Sequence, residues 1–168
     1  ASWGNAMGDF SGHNFIVNGN WNTMTGANLA SRAIGYMFLT GWTTTTDTTL
    51  TEFGLATNSS DTPTNRIVLI NNSTYIFDCD IVARKSTAGT DYSAWNIKFC
   101  INREANAAST ALVGTVTKTL LGQTAGASTW DVTATADTTN GRPAITVTGQ
   151  AATTIRWVTN INMTKVSG

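Results

Sequence analysis

The sequence predicts an all-β protein, an antiparallel, jelly-roll-like β-sandwich, and three observations lead to this class. Apolar and polar residues alternate along many short segments, turn-forming residues separate these segments, and the segments recur at regular intervals. The alternation is clearest where Trp130, Val132, Ala134 and Ala136 are interleaved with polar residues. Because strand side chains alternate between two faces, this pattern predicts one buried face and one exposed face.

The chain divides into a Gly-rich N-terminal arm, residues 1–30, and a β-sandwich domain, residues 31–168. In the arm Gly4, Gly8 and Gly12 are four residues apart, and apolar residues, three of them aromatic, lie between and beside them. This spacing resembles the end of the glycine-rich repeats of trimeric adhesin heads and phage fibre shafts. The alternative is an irregular arm that packs on the domain. In either case the domain or a neighbouring subunit must cover the aromatic side chains.

The β-sandwich domain contains a series of short predicted strands. Residues 103–109 include good helix formers, but their position favours a connection between strands. The last three strands predict a β-meander, with turns at Asn140-Gly141 and at Gly149. Short strands at such regular spacing are typical of a sandwich or a jelly roll. The predicted strands are residues 33–39, 49–53, 66–70, 74–84, 94–103, 111–121, 130–136, 144–148 and 154–165.

The phase of the alternation also predicts the core. Trp95, Trp130 and Trp157 are in phase with aliphatic neighbours, so their rings are expected between the sheets. The other predicted core residues are Phe77, Ile97, Phe99, Val132, Ile145, Val147 and Ile155. Cys79 is in phase with this set and Cys100 is out of phase with it. The two thiols are therefore expected on opposite faces of different strands, and we predict no disulfide.

Composition argues against two classes of function. Charged residues make up 12% of the chain, and ten basic residues balance ten acidic residues, so the formal net charge is zero. A protein that binds nucleic acid through phosphate contacts would have a basic excess. No segment approaches the roughly 20 apolar residues of a membrane helix, so we expect no insertion into a membrane.

Several stretches of the sequence resemble a known family. They are residues 65–69 (NRIVL), 75–84, 103–114 (REANAASTALVG), 130–141 (WDVTATADTTNG) and 155–158 (IRWV). Together they resemble a C-terminal β-domain of tailed-bacteriophage tail fibres, tailspikes and related virion surface proteins, across residues 30–166. The resemblance implies a part of a virion surface, made in the bacterial cytoplasm, with other virion proteins and a host-surface glycan as potential partners. It does not supply a binding site.

Two acidic residues are candidates for chemistry. Asp78 and Asp80 share one strand face, as a glycosidase carboxylate pair or a metal-binding pair would. The alternative is an exposed polar face on which Lys98 or Arg84 pairs with them across the sheet. His13, the single histidine, lies in the arm without a motif that would make it catalytic. We therefore expect neither an enzyme nor a cofactor.

Two tryptophans are candidates for binding. Trp21 and Trp42 lie among Asn, Gly and Thr residues in surroundings typical of loops. An aromatic ring flanked by such side chains suits a sugar, but aromatic rings are also enriched at subunit interfaces. The interface is the favoured interpretation for Trp21, and both remain open for Trp42.

The expected function is a non-enzymatic, surface-displayed domain of a phage fibre, spike or capsid decoration. Symmetric association as a homotrimer would cover open sheet edges and exposed aromatic residues. A carbohydrate-binding, lectin-like module and a part of a polysaccharide depolymerase are the alternatives.

Overall fold

The computed structural model describes residues 34–55, 66–86 and 89–168, with side chains from Phe38 onward. It confirms the predicted class, because these residues form two antiparallel sheets packed as a sandwich. The arm, with Trp21 and His13, lies outside the described residues. The strands are β1 (Ile34–Thr45), β2 (Thr51–Glu52), β3 (Gly54–Leu55), β4 (Ser73–Lys85), β5 (Tyr92–Arg103), β6 (Ala111–Gln123), β7 (Asp131–Asp137), β8 (Arg142–Thr148) and β9 (Ile155–Ser167).

The two sheets differ in size. The larger sheet has the strand order β3-β1-β9-β4-β5-β6, and the smaller has the order β2-β8-β7. Two short 3-10 turns, Ala107–Ser109 and Ala125–Ala127, lie on either side of β6. The first of them confirms that residues 103–109 contain a connection between strands.

The position of β9 corrects one prediction. The hairpin of β7 and β8 forms as expected, but β9 leaves it and pairs with β1 and β4 in the larger sheet, so the predicted β-meander is wrong. Gly149 allows this crossing, because a Cβ there would lie 2.3 Å from the Thr45 Oγ1 atom and 2.7 Å from the Asp47 carbonyl oxygen. Alternation identifies a strand and its buried face, but it does not identify the strand's neighbours.

The core lies between the two sheets. Phe77 and Phe99 stack with their ring centroids 4.9 Å apart, and the Trp157 ring is 5.7 Å from that of Trp95. Trp157 also donates from Nε1 to the Thr45 hydroxyl at 2.9 Å, so its polar atom is satisfied although the ring is buried. Every residue predicted for the core from its phase is buried.

Two predicted strands are altered. Residues 66–70 belong to neither sheet, although Ile67 and Leu69 are buried and Val68 is exposed as in a strand. The backbone of Leu69 bonds instead to Gly141, with its N–H donating to the Gly141 carbonyl at 3.3 Å. The segment predicted at residues 49–53 contains only the short strand β2, and β3 follows after Phe53; the two strands pair in different sheets.

The larger sheet has an inner face, which packs on the smaller sheet, and an outer face. The outer face consists of the alternate residues of β1, β9, β4 and β5 that include Trp42, Val158 and Val82. Val82 and Val158 are 57% and 50% exposed, so no described residue covers this part of the face. Cys79 is buried on the inner side and Cys100 lies on the outer side, as predicted, and both are free thiols.

Candidate functional site

Three of the stretches that carry the family resemblance meet at one end of the sandwich. Arg103 Nη1 donates to the carbonyl oxygens of Leu69 at 2.6 Å and Gly141 at 3.2 Å, which joins three of those stretches. Asn106 and Ser109 form a capping box at the nearby 3-10 turn. These residues hold backbone segments together, so the resemblance describes a structural junction.

A second polar cluster ties β2 to the β7–β8 hairpin. Arg142 donates to both carboxylate oxygens of Glu52, at 3.0 and 3.1 Å, and to Asp137 at 2.9 Å. Asp137 also accepts from the backbone N–H groups of Thr139 and Asn140, as expected of an Asx-turn residue. Each carboxylate is occupied by a cation or an N–H group, and the cluster is structural.

Asp78 and Asp80 lie side by side on the outer face, as predicted. Asn96 Nδ2 donates to Asp78 at 2.7 Å and to Asp80 at 2.8 Å, and Lys98 pairs with Asp78 at 2.8 Å. This confirms the pairing with Lys98 across the sheet. Burial alone would raise the pKa of Asp78, but the hydrogen bonds from Lys98 and Asn96 outweigh it and lower the pKa. Within residues 34–55, 66–86 and 89–168, no group of three or more side chains is placed to hold a metal ion.

Trp42 lies in β1 and not in a loop. The inward residues of this part of β1, Gly41 and Thr43, are buried although they are not apolar. Without apolar residues at alternate positions, the sequence does not indicate a strand here. Trp42 is half-buried on the outer face, where β-pairing aligns it with Val158 and Val82. We call this set, with Ala94 of β5, the apolar row.

Two further rows flank the apolar row. On one side the polar row consists of Thr40, Asn160, Asp80 and Asn96. On the other side the arginine row consists of Thr44, Arg156, Arg84 and Tyr92, all of them exposed. The structure thus brings Trp42 and Asp80 onto one surface with Arg84 and Arg156. Arg84 stands out in the sequence as a potential partner for the acids, whereas Arg156 does not, because the register of β4 on β9 is not visible in the sequence.

The strand at one edge of the larger sheet is also exposed. Among the described residues β6 has β5 as its one neighbour in the sheet, and Leu120 and Leu121 of β6 are 51% and 62% exposed. Lys118 is the one charged residue of β6, and it pairs with Asp131 of β7. This edge therefore combines apolar side chains and almost no charge with backbone groups that no described strand pairs.

Comparison with solved structures gives a match of low structural similarity. No protein-family model and no curated protein matches the sequence. One similar solved structure is the crystal structure of the Acinetobacter baumannii phage AM24 tailspike protein, at 12% identity and a TM-score of 0.37. The match covers 79% of this chain and 26% of the tailspike chain. Likeness of this degree does not assign a family.

None of the described residues belongs to a helix with the length and apolar character needed to cross a bilayer.

Proposed function

We propose that this chain is a non-enzymatic structural domain displayed on the surface of a tailed-phage particle, where it assembles as a homotrimer with itself and contacts other virion proteins. The proposal is supported by the sequence stretches that resemble virion surface domains. Arg103, Leu69 and Gly141 of these stretches contact one another. These contacts hold three backbone segments together, as expected for a domain with a structural role.

The main observation in favour of a homotrimer is the exposed edge of β6. Proteins usually guard an edge strand with charges, because unpaired N–H and C=O groups accept a strand from another chain. β6 has one charge, and Asp131 neutralises it. At the opposite side of the sheet, β3 pairs with β1 at Gly41 and Trp42, so residues 34–40 of β1 have a neighbour on one side among the described residues.

The two open edges differ in sequence and belong to opposite sides of one sheet. An edge of one copy that pairs with the other edge of the next copy makes a heterologous contact, and such a contact closes into a ring when the rotation between copies allows. A three-fold ring would cover both edges of every copy. A homotrimer is the smallest such ring beyond a pair.

Mass in solution tests this assembly. We expect the protein to have the mass of three 17.8 kDa chains by light scattering, and the double variant Leu120→Lys/Leu121→Lys to be a monomer. Leu50→Lys is the matched control, because Leu50 is 57% exposed and lies outside both edges. A monomeric wild-type protein at micromolar concentration, or a trimer that survives both lysines, would contradict the proposal. Immunogold labelling of intact virions then tests the location.

The non-enzymatic part of the proposal rests on the state of the acids. A glycosidase requires one carboxyl group whose pKa is raised so that it can donate a proton. The pKa of Asp78 is lowered by Lys98 and Asn96, and Asp80 shares the same Asn96 amide. These contacts favour a polar surface over a general acid, and they give the depolymerase alternative no support.

A further inference from the structure

The outer face carries a pair of like charges that the fold does not need. Arg84 and Arg156 are directly opposite each other on β4 and β9. Like charges at opposed positions destabilise a sheet, because the Cβ atoms are only about 4.5–5.5 Å apart. Neither arginine forms an ion pair with any residue in the described part of the chain. An anionic group bound between them would remove the repulsion.

The neighbouring row supplies a different chemistry. Trp42, Val158 and Val82 form an apolar strip across β1, β9 and β4 beside the two arginines, and Val82 and Val158 are 57% and 50% exposed. The face of a pyranose ring is apolar through its C–H groups, and it packs on aromatic and aliphatic surfaces. An apolar strip three strands wide suits an extended chain of such rings.

The polar row adds hydrogen-bonding groups beside the apolar strip. Asp80 accepts from Asn96 through one carboxylate oxygen, and the side chain of Asn160 beside it makes no hydrogen bond to a described residue, although its backbone is paired within the sheet. A carboxylate oxygen and a carboxamide together offer acceptors and donors for a pair of neighbouring hydroxyl groups. These groups lie on the other side of the apolar strip from the arginines.

We propose that these three rows of the outer face form a binding site for an acidic saccharide. The sugar rings lie on the strip of Trp42, Val158 and Val82. Arg84 and Arg156 bind the carboxylate or another acidic substituent, and Asn160 with Asp80 binds ring hydroxyl groups. The net charge of zero and the apolar strip favour a saccharide over a nucleic acid, because nucleic-acid affinity depends on an extended basic surface.

This inference rests on the proposed function in one respect, since it takes the outer face to be exposed on the particle. The proposed assembly and the proposed saccharide site can be disproved separately. Assembly through the edges leaves the outer face open, so a monomer that binds the saccharide would contradict the trimer and support the site. A trimer that binds no saccharide would do the reverse.

An array of acidic and neutral bacterial polysaccharides, probed with the purified full chain, tests the site. We expect binding to acidic polysaccharides, with loss of the signal when their carboxyl groups are reduced to alcohols. Arg84→Gln/Arg156→Gln should weaken binding at least about tenfold, and Trp42→Ala by about tenfold. Lys118→Gln, which removes an exposed cation on β6, is the matched control and should bind as the wild type does.

Stability provides a second readout that a merely structural role would not give. Because the opposed arginines repel each other, Arg84→Gln is expected to raise Tm by about 1–3 °C while binding falls. Binding to no acidic polysaccharide, or equal binding to neutral ones, would overturn the proposal. So would full competition by a DNA oligonucleotide combined with unchanged binding by Trp42→Ala, because charge alone would then explain the result.

Discussion

Gly141 shows at the residue scale why the turn between β7 and β8 requires glycine. Its φ is +68°, and a Cβ at this position would lie 2.5 Å from Arg103 Nη1 and 3.0 Å from the Ala107 Cα atom. A side chain would therefore be strained by its backbone and would also displace the arginine that joins three segments. The Asn-Gly signal in the sequence indicated the turn, but the contact with Arg103 is visible only in the structure.

Substitution of Gly141 separates these two effects. We expect Gly141→Ala to lower the free energy of unfolding by about 2–4 kcal/mol, from the left-handed backbone and from the clash together. Gly114→Ala is the matched control, because Gly114 has a φ of +81° with nothing within 4 Å of a built Cβ. Its cost should be only about 1–2 kcal/mol, the backbone part alone. Urea unfolding measures both, and equal costs would show that the Arg103 contact adds nothing.

Asp137 predicts how stability depends on pH. The side-chain hydrogen bond from Asn140, opposed by burial and supported by Arg142, holds the pKa of Asp137 below its ordinary 3.8. The unfolded chain therefore binds this proton at higher pH than the folded protein does. The stabilisation by the carboxylate is complete above the ordinary pKa and is lost as pH falls through the lower, folded value.

The measurement is a series of urea unfolding curves from neutral to acid pH. Asp137→Asn should reduce stability at neutral pH and flatten the fall of stability on the acid side. A wild-type slope in Asp137→Asn would show that the carboxylate is not linked to folding.

At the element scale, the short strand β2 depends on the β7–β8 hairpin through one side chain. β2 has only two residues and pairs with β8 at Thr51 and Glu52. The Arg142 guanidinium holds Glu52 and Asp137 together, and its side chain is 15% exposed. A strand of this length needs such a link, because two paired residues form few backbone hydrogen bonds.

Removal of the guanidinium tests this link. We expect Arg142→Met to lower the free energy of unfolding by about 2–3 kcal/mol, less than for a fully buried pair because the cluster is partly solvated. Lys118→Met, which breaks the exposed pair with Asp131, should cost less than about 1 kcal/mol. Hydrogen exchange should show faster exchange in β2 of the Arg142 variant, and an unchanged rate there would contradict the link.

Most strands could be predicted from the sequence because local alternation defines them. β4, β5, β7 and β8 have apolar residues at every second position, and their predicted limits agree with the structure to within two residues. The end of β1 could not be predicted, because its inward residues Thr43 and Thr45 are polar and are buried by their neighbours. Residues 66–70 show the opposite case, in which alternation exists without a paired strand.

The candidate site was less predictable than the strands. Sequence reasoning selected Trp42 and Asp80 separately, and it treated them as parts of unrelated features. Their common surface depends on the insertion of β9 between β1 and β4, which aligns Trp42 with Val158 and Asp80 with Asn160. Such alignment is a property of register between strands far apart in sequence, and no local pattern encodes it.

At the scale of the whole molecule, the two sheets differ in what they leave exposed. The inner faces form one core of aromatic and aliphatic side chains, and this core was predictable from phase. The larger sheet extends beyond the smaller one, with six strands against three, so its edge strand β6 and its outer face remain uncovered by the described residues. The proposed assembly and the proposed saccharide site occupy these two different surfaces.

The central place of β9 also has a consequence during synthesis. Ile34 pairs with Val166, and β9 separates β1 from β4, so the larger sheet has no continuous middle until residues 155–167 have been translated. In a nascent chain that lacks β9, β1 and β3 are not paired with β4, β5 and β6. Contacts between residues so distant along the chain also form slowly. We expect this protein to acquire its native structure only once that last strand has left the ribosome.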